Sequence, residues 1–320
     1  MTEETTTTPL SVFVTGATTG LGRTITRELV AQGYKVTGTV SSPGDANLVR
    51  EDGGLPVFTD LFRASELASY LKMAKADVIV NAAPQVVNAL PLHKPNWSYY
   101  GRLLSQGTAA LVAAGAQAEV KFIVHASFAA LYGDTHGQWA DESASISTDS
   151  PLFVAAAQAE SAVLEGDVPG CVLRAGFNYG PGSQSIQALR QALISRGMVS
   201  VGHKPASWIH NADLASAIAL CITQRPAGEI FNIADDNPVS PAEFVDQFAD
   251  SMGVARPGKG GLPPVLRQAL VHPNERALLD ISVKAQNAKA KEKLGWTLQY
   301  ASIAAGIEQT LLAWRAAETV

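Results

Sequence analysis

Residues 12–23 carry the types and spacing that can hold a phosphate. Val12-Phe13-Val14-Thr15 is a short apolar run and Gly16-Ala17-Thr18-Thr19-Gly20-Leu21-Gly22-Arg23 is a glycine-rich turn. Residues 24–32 then place Ile25, Leu29 and Val30 at helical spacing. A dinucleotide pyrophosphate needs this order. Glycines without Cβ let the backbone approach closely, and the helix start offers unpaired N–H groups and the positive end of its dipole. A glycine turn alone also serves a bare, tightly packed strand–helix junction. Here a second apolar run at residues 34–40 follows at the distance of a βαβ unit, which favours a nucleotide site. Gly16, Thr18, Thr19, Gly20, Leu21, Gly22 and Arg23 are therefore the expected phosphate end of a cofactor site.

Elsewhere the chemistry-bearing residues are sparse. The six histidines are scattered, with no metal-ligand spacing, so no metal is expected. His125 lies inside an apolar run and reads as a hydrogen-bonded core residue. His93 and His136 sit in polar loops and read as solvated, whereas His210 and Asp213 stand at a helix start and read as capping and packing. Ser127 and Tyr132 are weak catalytic candidates, and no nucleophile–base pair can be argued.

The elements that must position these residues follow from pattern. Short apolar runs at 56–58, 77–81, 120–126 and 171–175 alternate with helical patterns at 64–73, 98–117 and 153–165. Such alternation predicts an α/β fold, a doubly wound, Rossmann-type parallel sheet covered on both faces. After Tyr179 prolines and glycines break the chain into shorter pieces, with helices expected at 185–196, 212–223, 241–252 and 303–317 and a strand at 229–233. We expect a flexible tail over 1–9 and a dinucleotide-binding domain over 10–180, to which residues 206–235 return. Residues 181–320 would form mainly a smaller C-terminal α/β substrate lobe.

Composition narrows the function classes. At 320 residues the chain can bury a large core, and 47% hydrophobic with 17% charged residues reads as globular. A net charge of −5 without basic runs argues against nucleic acid. The tail is Thr- and Glu-rich rather than a signal peptide, and no stretch suits a membrane span. Cys171 and Cys221, both in apolar contexts, read as free thiols of a reducing compartment, so a cytoplasmic address is expected.

Taken together, the motifs from Leu10 to about Leu312 resemble the extended short-chain dehydrogenase/reductases, the NAD-dependent epimerase/dehydratase group. Besides the glycine turn, Thr59-Asp60-Leu61 resembles the element that contacts adenine, and Asn81-Ala82-Ala83 the segment under the cofactor. Ala129-Ala130-Leu131-Tyr132-Gly133, Asn178-Tyr179-Gly180-Pro181-Gly182 and Trp208-Ile209-His210-Asn211-Ala212-Asp213 resemble later family stretches in the right order. The glycine spacing itself is similar to the classical branch.

That resemblance implies a catalytic set that this chain lacks. The family places a Tyr four residues before a Lys, a Ser or Thr after the fifth strand, and an Asn in the preceding helix. Here those positions hold Leu152, Ala156, Phe128 and Leu104. None of these side chains exchanges a proton near neutral pH. Loss of the lysine contact to the ribose weakens cofactor binding by about 1.5–3 kcal/mol. The pocket, with Phe128, Leu152 and Tyr179 as expected lining, should be greasy and suit an apolar ligand.

An acid that would bind NAD ribose hydroxyls is missing at the end of the second strand, where Val40 is followed by Ser41 and Ser42. With Arg23 nearby, the balance favours NADP over NAD, although Ser41 stands where many NADP-using relatives carry Arg. Two functions remain open. One is an oxidoreductase with a non-standard active site acting on a small, rather apolar substrate. The other is a catalytically inactive dinucleotide-binding sensor or scaffold. The resemblance further implies a homodimer through the helices at about 98–117 and 153–165, both alanine-rich.

Overall fold

In the computed structural model the described residues are 9–83, 90, 95–197, 199, 201–258, 272–279 and 281–318. His93 and nearly all of the 1–9 tail lie outside them. The chain runs β1 (Ser11–Thr15), α1 (Gly20–Ala31), β2 (Lys35–Val40), α2 (Pro43–Glu51), β3 (Leu55–Phe58), α3 (Ala64–Ala74) and β4 (Val78–Asn81). It continues with α4 (Trp97–Arg102), a π-helical turn (Leu103–Gly107), α5 (Thr108–Gln117), β5 (Phe122–Phe128), β6 (Trp139–Ala140), α6 (Pro151–Leu164), β7 (Gly170–Ala175) and β8 (Phe177–Tyr179). Then come α7 (Gln184–Ile194), β9 (Trp208–His210), α8 (Asn211–Gln224), β10 (Ile230–Ile233) and α9 (Pro241–Met252). The last elements are α10 (Pro273–Leu279), β11 (Lys284–Ala285), α11 (Ala288–Leu294) and α12 (Ile303–Glu318).

Seven strands form one parallel sheet in the order β10-β7-β5-β4-β1-β2-β3. The period of two along each strand sends its side chains into two cores. Val12 and Val14 of β1, with Val78 and Val80 of β4, pack with Leu21, Ile25 and Leu29 of α1 and with Leu214 and Ile218 of α8. Phe13, Ile79, Ile123 and Val172 point the other way, against Leu67 and Leu71 of α3, Leu111 of α5 and Val163 of α6. This is the doubly wound Rossmann-type architecture that the alternating pattern predicts.

Residues after Tyr179 do not stay in one lobe. β10 completes the sheet beside β7, while α7, α9 and α12 build a third core with Trp208, Phe244 and Phe248. The helix expected over 98–117 is continuous but contains the π-helical turn at Leu103–Gly107, which places Leu103, Leu104 and Gly107 inward. Such turns insert one extra residue and re-aim the side chains around it.

Candidate functional site

β1 and β4 are neighbours in the sheet, yet their connections leave toward opposite edges. A crevice opens at the carboxyl ends of strands where the order reverses in this way. The glycine turn after β1 and Asn81-Ala82-Ala83 after β4 meet there. Gly16 has φ +69°, and a Cβ on it would lie 2.7 Å from Ala83 Cα. A Cβ on Gly20 would lie 2.6 Å from the Gly182 backbone, and one on Gly22 would strike Gly16 O. These three glycines are required by close backbone approach.

Thr19 caps α1: its Oγ1 accepts from Gly22 N at 3.0 Å and donates to Gly16 O at 2.9 Å. Arg23 N donates to Thr19 O. Among the described residues no hydrogen bond occupies the Gly20 and Leu21 amides at the start of α1, where the helix dipole is positive. Thr18 is half-buried in the same turn, whereas the Leu21 side chain is fully buried beneath it. The crevice fits a dinucleotide phosphate on these grounds: a cradle closed to Cβ atoms, and two unpaired N–H donors.

A buried hydrogen-bond chain fixes the floor. Thr15 Oγ1 donates to Asn81 Oδ1 at 2.7 Å and accepts from Ala83 N at 3.1 Å. Asn81 Nδ2 reaches Thr108 Oγ1 and His125 Nδ1, each at 3.1 Å. His125 therefore carries its proton on Nε2, and full burial pushes its pKa down to about 4. It is a neutral core histidine tying β5 to β4. After β3, Asp60 Oδ1 accepts from Phe62 N, its other oxygen lies 3.4 Å from Arg63, and Leu61 is half-buried beside it.

At the end of β2, Gly16 N donates to Thr39 Oγ1 at 3.2 Å, which ties the strand to the cradle. Ser42 caps α2 and Ser41 Oγ donates to Asp45 Oδ2 at 2.8 Å, so hydrogen bonds from the two serines hold the Asp45 carboxyl below its ordinary value. Arg23, expected near a 2′-phosphate, is instead forked onto Asp52 through Nε at 2.6 Å and Nη2 at 2.9 Å. Spacing could not show this pairing, because the partners are 29 positions apart.

Leu104, Phe128, Leu152 and Ala156 converge in one buried apolar cluster, Phe128 packing on Phe153 at 6.4 Å between ring centres. Tyr179 joins the same core. It is fully buried, edge-on to Trp208, His210 and Phe244, and its hydroxyl abuts Gly306 of α12. Burial pushes its phenol well above the usual value. Tyr179, like Leu152 of the expected lining, is a packing residue of that core in this structure.

Ser127 and Tyr132 belong to a separate network. Ser127 Oγ donates to Glu160 Oε1 at 2.6 Å, and Arg174 grips the same carboxylate at 2.7–3.1 Å. The Arg174 guanidinium lies 4.9 Å over the Tyr132 ring, whose hydroxyl donates to Asn232 Oδ1 at 2.8 Å. Every polar atom of Ser127 and Tyr132 thus has a structural partner. His136 is exposed, and His210 caps α8 by accepting from Ala212 N at 3.2 Å. Among the described residues no group of three metal-ligating side chains occurs, and no helix is long and apolar enough to cross a membrane.

A model of the NAD dependent epimerase/dehydratase family matches residues 12–234. The chain is 27% identical over 301 residues to a 3-diazoavenalumate denitrifying reductase of a Streptomyces species, covering 90% of this chain and 95% of that one. It is also 27% identical over 316 residues to 4-hydroxy-2-methyl-3-oxo-4-farnesyl-3,4-dihydroquinoline-1-oxide ketoreductase of Stigmatella aurantiaca, covering 90% and 92%. Among solved structures, dTDP-glucose 4,6-dehydratase of Streptomyces venezuelae with NAD and TYD bound superposes with a TM-score of 0.79 at 21% identity, covering 97% and 98%. UDP-glucose 4-epimerase of Thermotoga maritima with UDP-glucose gives 0.78 at 17% identity, covering 97% and 100%. At these identities the two structures speak for the fold.

Proposed function

This chain belongs to the NAD dependent epimerase/dehydratase family, and from that premise we propose that it is a nicotinamide-dependent reductase of a small, rather apolar substrate. The observation that carries the reading is the convergence of Leu104, Phe128, Leu152 and Ala156 in one buried cluster at the ends of β5 and α6. When bound, a reduced nicotinamide supplies a hydride. Gly20 and Leu21 would hold the pyrophosphate, and Asn81, Ala82 and Ala83 would support the dinucleotide from below. Apolar side chains fill the four positions and hand over no proton. The substrate must therefore accept hydride without a protein acid. A cationic group that expels a neutral leaving group as hydride adds meets that condition, as does one that takes its proton from water. The reductase names of the two curated relatives support this class over a sugar epimerase.

A second reading rests on the same packing. Leu104, Leu152 and Ala156 have no exposed surface, which suits a dinucleotide-loaded sensor without turnover. Anaerobic mixing of the chain and reduced coenzyme with ketone, enone and diazo panels separates the two. Substrate-dependent loss of the reduced nicotinamide absorbance supports the reductase, and binding without any oxidation overturns it. We read the assembly as a homodimer through the outward faces of α5 and α6. Exposed Ala109 and Ala113 lie on the first, and a shallow groove along Val154, Ala157, Gln158 and Ser161 on the second. The two buried free thiols, Cys171 and Cys221, fit a reducing, cytoplasmic setting.

A further inference from the structure

The cluster of Leu104, Phe128, Leu152 and Ala156, read above as the substrate pocket, is closed, and this inference rests on that reading. Leu104, Leu152 and Ala156 are 0% exposed. A hydride acceptor must lie against the nicotinamide face, so one of the packed elements gives way before a substrate enters. β5 is bonded into the sheet on both sides, and the π-helical turn, α5 and α6 pack on one another. α10 is held more lightly. It has seven residues, about 10 Å of helix. Among its described side chains only Asn274 and Leu278 are buried. An element with so few buried anchors opens at lower cost than the sheet beside it.

Three contacts hold α10 down. The His272 ring, just before the helix, stacks on Trp97 of α4 at 5.6 Å between centres and 20° between planes. Its Nδ1 accepts from Asn274 N at 3.2 Å and its carbonyl from Arg276 N at 2.9 Å, so the stacked residue also caps the helix. Asn274 Oδ1 accepts from Leu152 N at 3.3 Å, and Leu278 joins the apolar cluster. Trp97 is half-buried against that same cluster, whereas His272 is exposed. The chain itself thus lays a flat ring, a polar oxygen and an apolar end over the pocket.

We propose that residues 272–278 are a cover that stands in for the substrate, and that the substrate is a flat aromatic molecule that displaces His272 from the face of Trp97. Two fused rings cover an indole more fully than an imidazole does, and their apolar carbon gains more on leaving water than the exposed His272 ring. A saturated ring system of the same size cannot stack, so the Trp97 face discriminates by flatness. Withdrawal of Asn274 uncovers Leu152 in the same step.

Calorimetric titration of the full chain with 1-naphthol and with decahydro-1-naphthol, its saturated counterpart, tests this in excess NADH and in excess NADPH. Neither probe accepts hydride, so turnover does not enter. 1-Naphthol is expected to bind about fivefold more tightly than the saturated alcohol. His272→Ala removes the competing ring and should tighten 1-naphthol about threefold, and Trp97→Leu should erase the difference between the probes. Hydrogen exchange read by mass spectrometry should quicken over residues 273–278 when 1-naphthol is bound, with β5 and β7 unchanged. Circular dichroism checks that each variant is folded. Equal binding of the two probes by the native chain, or no binding of either at millimolar concentration, overturns the aromatic substrate. Weaker 1-naphthol binding by His272→Ala, or exchange over 273–278 that 1-naphthol slows or leaves unchanged, overturns the cover and makes α10 a fixed wall. If the binding results hold and no coenzyme is oxidised in the ketone, enone and diazo panels, the reductase reading falls and the cover stands.

Discussion

Glu160, only 3% exposed, is held from two sides at once: by the Ser127 hydroxyl and by the forked Arg174 guanidinium, itself 4% exposed. A buried ion pair of this kind adds little net stability when intact, but it is severe to break, since the surviving charge is left without compensation. Glu160→Gln is therefore expected to cost about 3–5 kcal/mol, read as a lower urea midpoint at unchanged slope. Ser127→Ala removes one hydrogen bond to a charged acceptor and should cost about 1.5–3 kcal/mol. Tyr132→Phe removes its bond to Asn232 and should cost about 1 kcal/mol. In coenzyme oxidation assays Ser127→Ala and Tyr132→Phe are expected to stay within threefold of the native rate, because both hydroxyls point into structure. A hundredfold loss with either would restore that residue as a catalyst.

Among the elements, the start of α1 is both a fold signal and a ligand device. Thr19 turns the chain into the helix by bonding Gly22 N and Gly16 O. Thr19→Ala should lower stability by about 1 kcal/mol and weaken coenzyme binding several-fold, since the free amides of the first turn lose their fixed direction. Urea titration and calorimetry read the two effects separately. Elements of this kind were legible because they rest on local pattern: β1, β4, β5 and β7 are continuous apolar runs, and α9 begins at Pro241 behind a serine cap. α2 was not legible, as it buries only Ala46 and Val49. β8 and β9 were missed because three residues, Phe177–Tyr179 and Trp208–His210, show no period. At the site, the glycine turn could be read from its spacing together with the strand, helix and second strand around it. The commitments of Arg23, Ser127 and Tyr132 could not, since their partners Asp52, Glu160 and Asn232 lie 29, 33 and 100 positions away. Tertiary packing makes those pairs, and sequence spacing is silent about it.

For the whole molecule, buried ionisable groups fix how stability follows pH. His125 and His210 are buried neutral, each pushed down to about 4 from the ordinary 6.5 by desolvation. Asp235, 1% exposed at the end of β10, is pushed up to about 8 by burial, and burial also raises Asp213. The histidines bind more protons unfolded than folded between pH 4 and 6.5, so their contribution, complete above 6.5, is lost as pH falls through 4. Asp235 has the opposite sign. It stays protonated in the fold while the unfolded carboxyl ionises near 3.9, so its contribution is lost as pH rises through 8. The two effects oppose each other below 6.5, and only the aspartate limb remains above it. Each bound proton changes stability by about 1.36 kcal/mol per pH unit. The native chain should therefore lose about 2 kcal/mol between pH 6.5 and 8, and its urea midpoint should fall across that window. Asp235→Asn, which keeps the shape and removes the titration, should flatten the alkaline limb and steepen the fall below pH 6.5, where the aspartate no longer opposes the histidines. An alkaline limb as steep in Asp235→Asn as in the native chain would assign the loss to another group, Asp213 beneath the Gln299 and Tyr300 amides being next in line.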